Sequence, residues 1–143
     1  MPKESFEVLM IGSSKRFYEL RHNILHDEVR TTRDSYQLVT NYIQTYPVAI
    51  KTVASLGRLD LVLVYNDLGL SPKGLGKFCK ELAVALSTHP NKPAVGIDRA
   101  VFVSEAEEAF EQIFKKRDVS VMYGDIGDIF NTVMRTKVNR ALN

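Results

Sequence analysis

Histidine is scarce in this sequence, occurring only as His22, His26 and His89. His22 and His26 stand four apart with Asp27 beside them. On a helix that spacing puts both imidazoles on one face, the way two ligands are offered to a transition metal. No third ligand is indicated, so no metal site is expected. Gly12-Ser13-Ser14-Lys15 follows an apolar run. A glycine and two hydroxyls after a strand can hold a phosphate where a helix follows. The glycine spacing of a P-loop or a dinucleotide fingerprint is absent, and a plain turn is the expectation. No G-x-S-x-G nucleophile motif occurs. Asp60, Asp67 and Asp98 fall near expected strand ends, without a partner motif for acid–base work. Cys79 follows Phe78 on an expected helix and reads as a small buried hydrophobe, not a reactive thiol. No catalytic residue and no cofactor are expected.

The elements that carry these residues belong to a chain of 143 residues, 45% hydrophobic and 25% charged. That composition suits one α/β domain over residues 1–143 with one core, and argues against disorder. The net charge of +2, with both signs interspersed, is too weak to argue for nucleic acid. Lys115-Lys116-Arg117 and the group Arg135, Lys137 and Arg140 fall at helix ends, where they complement the dipole. A single cysteine excludes a disulfide framework and points to the cytoplasm. The N-terminal apolar run is too short for a signal peptide, and none approaches a membrane span.

The chain is organised around residues 59–78. Leu61 to Val64 is a continuous apolar run bounded by turn signals, the pattern of a fully buried strand. Ser71-Pro72-Lys73-Gly74-Leu75-Gly76 follows, and then Leu75, Phe78, Cys79, Leu82 and Leu86 recur at helical spacing. Upstream, Phe6 to Ile11 reads as a strand. Residues 16–30 fit helical and alternating patterns equally. A helix is expected from Asp34 or Ser35, with Tyr36, Val39, Tyr42 and Ile43 on one face. Its tyrosines read as a packing face, not as a platform for stacked bases. Pro47 should kink or end it, with a second helical piece over Val48 to Leu56 stopped by Gly57. Downstream, His89 to Pro93 breaks the long helix, and Ala94 to Ile97 and Ala100 to Val103 are strand candidates. Ser104-Glu105-Ala106-Glu107 is a capping box opening a helix to Lys116. Val119 to Tyr123 reads as the last strand, and Asp125 as the N-cap of a closing helix lined by Ile126, Ile129, Phe130, Val133 and Val138.

The apolar strand, short loop, Gly74-Leu75-Gly76 and helix resemble the STAS domains of anti-sigma-factor antagonists, whose loop reads roughly Asp-Ser-Ser-Gly-Leu-Gly. The tail, with its strand, capped helix, strand, acidic turn and closing helix, is also similar. The resemblance implies a mixed sheet of four or five strands, no enzymatic activity, and partner switching by phosphorylation of a loop serine. Here Pro72 and Lys73 stand where that family carries its serines, and Ser71 is the remaining hydroxyl open to modification. A rival resemblance is to the receiver domains of response regulators. Aligning Asp60 to Val64 with their central strand puts Tyr65 at the phosphoacceptor position. Ile11-Gly12-Ser13-Ser14 stands where receivers carry paired acids, so the resemblance implies a pseudo-receiver.

The expected fold is therefore one α/β domain with a mixed or mostly parallel sheet of four or five strands and flanking helices, STAS-like or doubly wound. The expected role is non-enzymatic regulation through a protein partner, with no membrane involvement. Contact would run through Asp67, Ser71, Lys73, Gly74 and Lys77, with Lys80 near by. Pairing into a homodimer through a sheet edge or a helix is compatible with such a domain. The alternative is a small-ligand or nucleotide-binding protein using the Gly12–Lys15 and Asp67–Gly76 loops.

Overall fold

The first apolar run forms β1, Glu4–Ile11, and from the second strand onward strand and helix alternate among the described elements. The further elements are β2 (Tyr36–Ile43), α1 (Tyr46–Ser55), β3 (Leu61–Val64), α2 (Pro72–Thr88), β4 (Ala94–Asp98), α3 (Glu107–Lys115), β5 (Val121–Gly124) and α4 (Ile126–Leu142). This computed structural model describes residues 4–12, 36–43, 45–64, 72–98 and 107–142. The sheet has five strands in the order β2-β1-β3-β4-β5. Every pairing is parallel. The mostly parallel branch of the expectation is the one realised, in a doubly wound order.

Period-two alternation splits the strands between two apolar layers. Leu9, Ile11, Val62, Val64, Val95 and Ile97 face one side, where they meet Ala49 and Val53 of α1, the buried stripe of α2 and Phe114 of α3. Phe6, Val8, Met10, Leu61 and Leu63 face the other side and pack with Ile126, Ile129 and Phe130 of α4. Phe6 and Phe130 meet edge to face at 5.7 Å between ring centres, the arrangement that the ring quadrupoles favour. β3 is buried along its whole length, because both layers cover it. Gly96 lies on the α4 side of β4, and a Cβ there would sit 2.6 Å from Ile129 Cγ2 and 2.9 Å from Leu63 Cδ2. The glycine lets the helix approach the sheet.

Two places differ from the sequence expectation. Residues 36–43 are a strand, not a helix. Tyr36, Val39, Tyr42 and Ile43 fit a helical stripe, but the segment is rich in β-branched and aromatic residues and pairs along its whole length with β1. Pro47 does not end a helix but opens one. It stands in the first turn of α1, where its missing amide costs nothing. The ambiguous 16–30 segment, the 100–103 strand candidate and Ser104 of the capping box lie outside the described residues.

The N-terminal edge of the sheet is fastened by side chains. The Glu7 amide donates to Asp60 Oδ2 at 2.8 Å, and the Asp60 amide donates to the Glu7 carbonyl at 2.9 Å. Arg58 Nε lies 3.9 Å from Asp60 Oδ2 and 4.0 Å from Glu7 Oε2. His89 is buried between two loops. Its Nδ1 accepts from the Asn91 amide at 3.1 Å, so Nε2 carries the proton and donates to the Leu56 carbonyl at 2.8 Å. Asn91 Oδ1 in turn accepts from the Leu59 amide at 3.4 Å. The segment first read as a helix breaker therefore ties the α2–β4 connection to the entry of β3.

Candidate functional site

In a parallel sheet every strand delivers its following loop to the same edge, and doubly wound proteins place ligands there. At the far side of this edge, Asp98 ends β4 in register with Gly124 of β5. Gly124 has φ +152, a conformation that side chains rarely adopt, and it turns the strand directly into α4. Asp125 caps that helix, its Oδ1 accepting from the Asp128 amide at 3.2 Å, as the sequence indicates. An open groove of about 620 Å³ runs here, lined by Asp98, Met122, Tyr123, Asp125, Asp128 and Thr132 among others. Its carboxylates Asp98, Asp125 and Asp128 disfavour phosphates and carboxylates, against the attraction of the helix start. Among the described residues no His, Cys, Asp or Glu group is placed to hold a metal.

The start of α2 at the same edge has the opposite character. Pro72 is its first residue, and its first turn holds no acidic side chain. Lys73, Lys77 and Lys80 are exposed, and Gly74 is half-buried. Lysines in the first turn oppose the helix dipole, and a like-charged pair four apart adds a few tenths of a kcal/mol, about 0.2–0.5, of destabilisation. This arrangement is poor for the isolated helix and favourable towards an anionic partner. Of the residues expected to bind, Lys73, Gly74 and Lys77 share this helix start, while Asp67 and Ser71 lie outside the described residues.

Cys79 is buried in the same helix, and burial pushes its thiol from the usual 9.0 up to about 12. It is a packing residue here, since the thiolate that would react is suppressed. Sequence reasoning missed the Asp98–Asp125–Asp128 groove. The signal was a strand-ending aspartate and a capping aspartate that only the β4–β5 register brings together.

No family model and no curated protein matches this chain. Among solved structures it is similar to S. aureus homoserine dehydrogenase. The crystal structure at pH 7.0 gives a TM-score of 0.57 at 9% identity, covering 85% of this chain and 33% of that one. The structure at pH 6.0 gives 0.57 at 8% identity over 84% and 33%. This chain spans about a third of the length of those enzymes. At such identity the likeness is one of fold. No helix among the described residues is long and apolar enough to cross a membrane.

Proposed function

We propose that this chain is a non-enzymatic regulatory domain of the cytoplasm that works by binding an anionic surface of a protein partner. The observation behind the reading is the start of α2. It lies at the working edge of a doubly wound sheet, with exposed Lys73 and Lys77 and no acid in its first turn. Among the described residues no carboxylate pairs with either lysine. The order β2-β1-β3-β4-β5 is also the one receiver domains use, which favours the pseudo-receiver resemblance as the frame. The STAS resemblance leads to the same role through Gly74-Leu75-Gly76. The test is capture of a partner from native lysate by the immobilised chain, beside Lys73→Glu and Lys77→Glu. The reading requires a specific protein that both variants lose and that salt weakens. Capture of chaperones alone, unchanged in the variants, refutes it.

The likeness to homoserine dehydrogenases favours a second reading, a small-ligand or nucleotide-binding protein. Thermal-shift screening against nucleotides and phosphorylated metabolites separates the two. A ligand at one hundred times its Kd adds about 2.7 kcal/mol of stability, and a flat response well above millimolar ligand removes this alternative.

A further inference from the structure

We infer that a small cavity at the edge where the strands start binds a zwitterion of α-amino-acid type with a short apolar side chain. The cavity has a volume of about 50 Å³ and lies between the ends of α2 and α3. Leu86, Pro93 and Val119 are buried and supply its apolar lining. The exposed Lys92, Arg117 and Asp118 border it as well. Pro93 stands just before β4, and Val119 just before β5. The site is therefore at the opposite edge from the start of α2, and independent of the partner surface proposed there. The two connections that form it, residues 89–93 and 116–120, are described throughout.

Backbone conformation gives the first reason. Lys92 has φ +46 and Asp118 φ +59, the two non-glycine residues with positive φ among those described. Each stands in a turn at the exit of a helix. The Lys92 amide donates to the His89 carbonyl at 3.1 Å, and the Asp118 amide to the Lys115 carbonyl at 3.0 Å. Glycine would take either place without strain. Other residues held in that region cluster at ligand sites, where the side chain has a task. Lys92 and Asp118 come from separate connections, yet both border the same cavity.

The charges give the second. Lys92, Arg117 and Asp118 put both signs around one opening, yet no ion pair joins them among the described residues. Opposite charges that border a cavity without meeting leave both signs to a guest. Ser87, also in the lining, stands in the last turn of α2, and its hydroxyl is spent on the Val84 carbonyl at 2.9 Å. The last carbonyls of a helix lack partners within it and carry the negative end of its dipole. That helix end and Asp118 disfavour a plain anion such as phosphate and favour an ammonium group. Arg117 and Lys92 favour a carboxylate, which a guanidinium holds through two N–H groups. An α-amino acid carries both charges on one carbon and a side chain for Leu86, Pro93 and Val119. At about 10–15 Å³ for one enclosed water, the cavity admits only a few non-hydrogen atoms, which limits the guest to the size of alanine.

The experiment is an NMR titration of the full isotope-labelled chain with L-alanine, beside acetate, methylamine and inorganic phosphate at the same concentrations. The amides of Ser87, Lys92, Asp118 and Val119 should shift and saturate with alanine at roughly millimolar concentration. Acetate and methylamine each offer one charge of the two and should bind at least about tenfold more weakly. Arg117→Gln and Asp118→Asn each remove one charge from an exposed position, and asparagine tolerates the left-handed backbone. Each should weaken alanine binding by about tenfold or more, with the rest of the spectrum unchanged. No saturating shift at these amides well above millimolar alanine overturns the inference. So does acetate or phosphate binding as well as alanine, and so do variants that bind alanine like the wild type.

Discussion

Replacing Gly96 by alanine tests the close contact of α4 with the sheet. The new methyl carbon would stand 2.6 Å from Ile129 Cγ2 and 2.9 Å from Leu63 Cδ2, against about 3.5–4.0 Å for an unstrained carbon pair. Both neighbours are buried. Ile129 is β-branched and on a helix, so its χ1 is held almost to one rotamer and Cγ2 cannot swing aside cheaply. Relief requires a shift of α4 by roughly 1 Å, against an interior packed at crystal density. Overpacking of this kind costs about 1–3 kcal/mol. Loss of the glycine's unfolded-state freedom returns about 0.4–1 kcal/mol. The expected net loss is about 1–2 kcal/mol, read as a lower urea midpoint with unchanged m value. In a domain of this size that lowers Tm by roughly 3–8 °C. Ile129→Ala alone opens a cavity and costs about 2–5 kcal/mol. With Gly96→Ala present it should cost less, because the added methyl occupies part of the space, giving a coupling of at least about 0.5 kcal/mol. An unchanged or raised Tm for Gly96→Ala, or strict additivity in the double variant, would refute this account of the contact.

Asp118 has φ +59 and occupies the glycine position of a helix-ending motif, with its amide donating to the Lys115 carbonyl and that of Val119 to the Phe114 carbonyl. Asp118→Gly should therefore raise stability by about 0.5–1 kcal/mol in urea unfolding, left-handed strain relieved outweighing added chain freedom. His89→Ala leaves the Leu56 carbonyl and Asn91 amide without their ring partner and should cost about 1–3 kcal/mol, with amide exchange quickening first at Leu59. Cys79 should resist thiol reagents in the native protein at neutral pH and react only on unfolding. Its raised pKa means the folded state holds the proton longer. The linked stability is intact below pH 9 and declines from there towards about 12. Cys79→Ala should flatten that alkaline decline, measured as Tm against pH.

Local patterns were legible where one interaction decides the outcome. Leu61 to Val64 reads as a buried strand because four apolar residues lie between turn signals, and both layers cover them. Asp125 reads as a cap because the side chain and its acceptor geometry are local. The stripe Leu75, Phe78, Cys79, Leu82 and Leu86 needs only a sheet to cover, and it found one. Residues 36–43 were not legible, because Tyr36, Val39, Tyr42 and Ile43 satisfy both periods and a distant strand made the choice. The two characters of the working edge show the same limit. Lys73 and Lys77 could be named as exposed lysines near a glycine turn. The nearness of Asp98 to Asp125 depends on the β4–β5 register, a relation between residues far apart in the chain. His89 looked like part of a helix stop because the Leu56 carbonyl it binds comes from another loop.

The order of the described elements along the chain bears on how its two apolar layers are made. Ala49 and Val53 of α1, the stripe of α2 and Phe114 of α3 are all translated before β5, so most of the layer they form is made while synthesis proceeds. The layer containing Phe6, Val8, Met10, Leu61 and Leu63 is packed, among the described elements, by α4 alone. Its covering residues Ile126, Ile129 and Phe130 are translated after every strand of the sheet. A ribosome that stalls or terminates before them releases a chain in which Phe6, Val8, Met10, Leu61 and Leu63 lack these partners, the kind of incomplete apolar layer that aggregates or recruits chaperones. The layer is thus completed only by α4, and a chain stopped near residue 125 should be recovered mainly in the insoluble fraction.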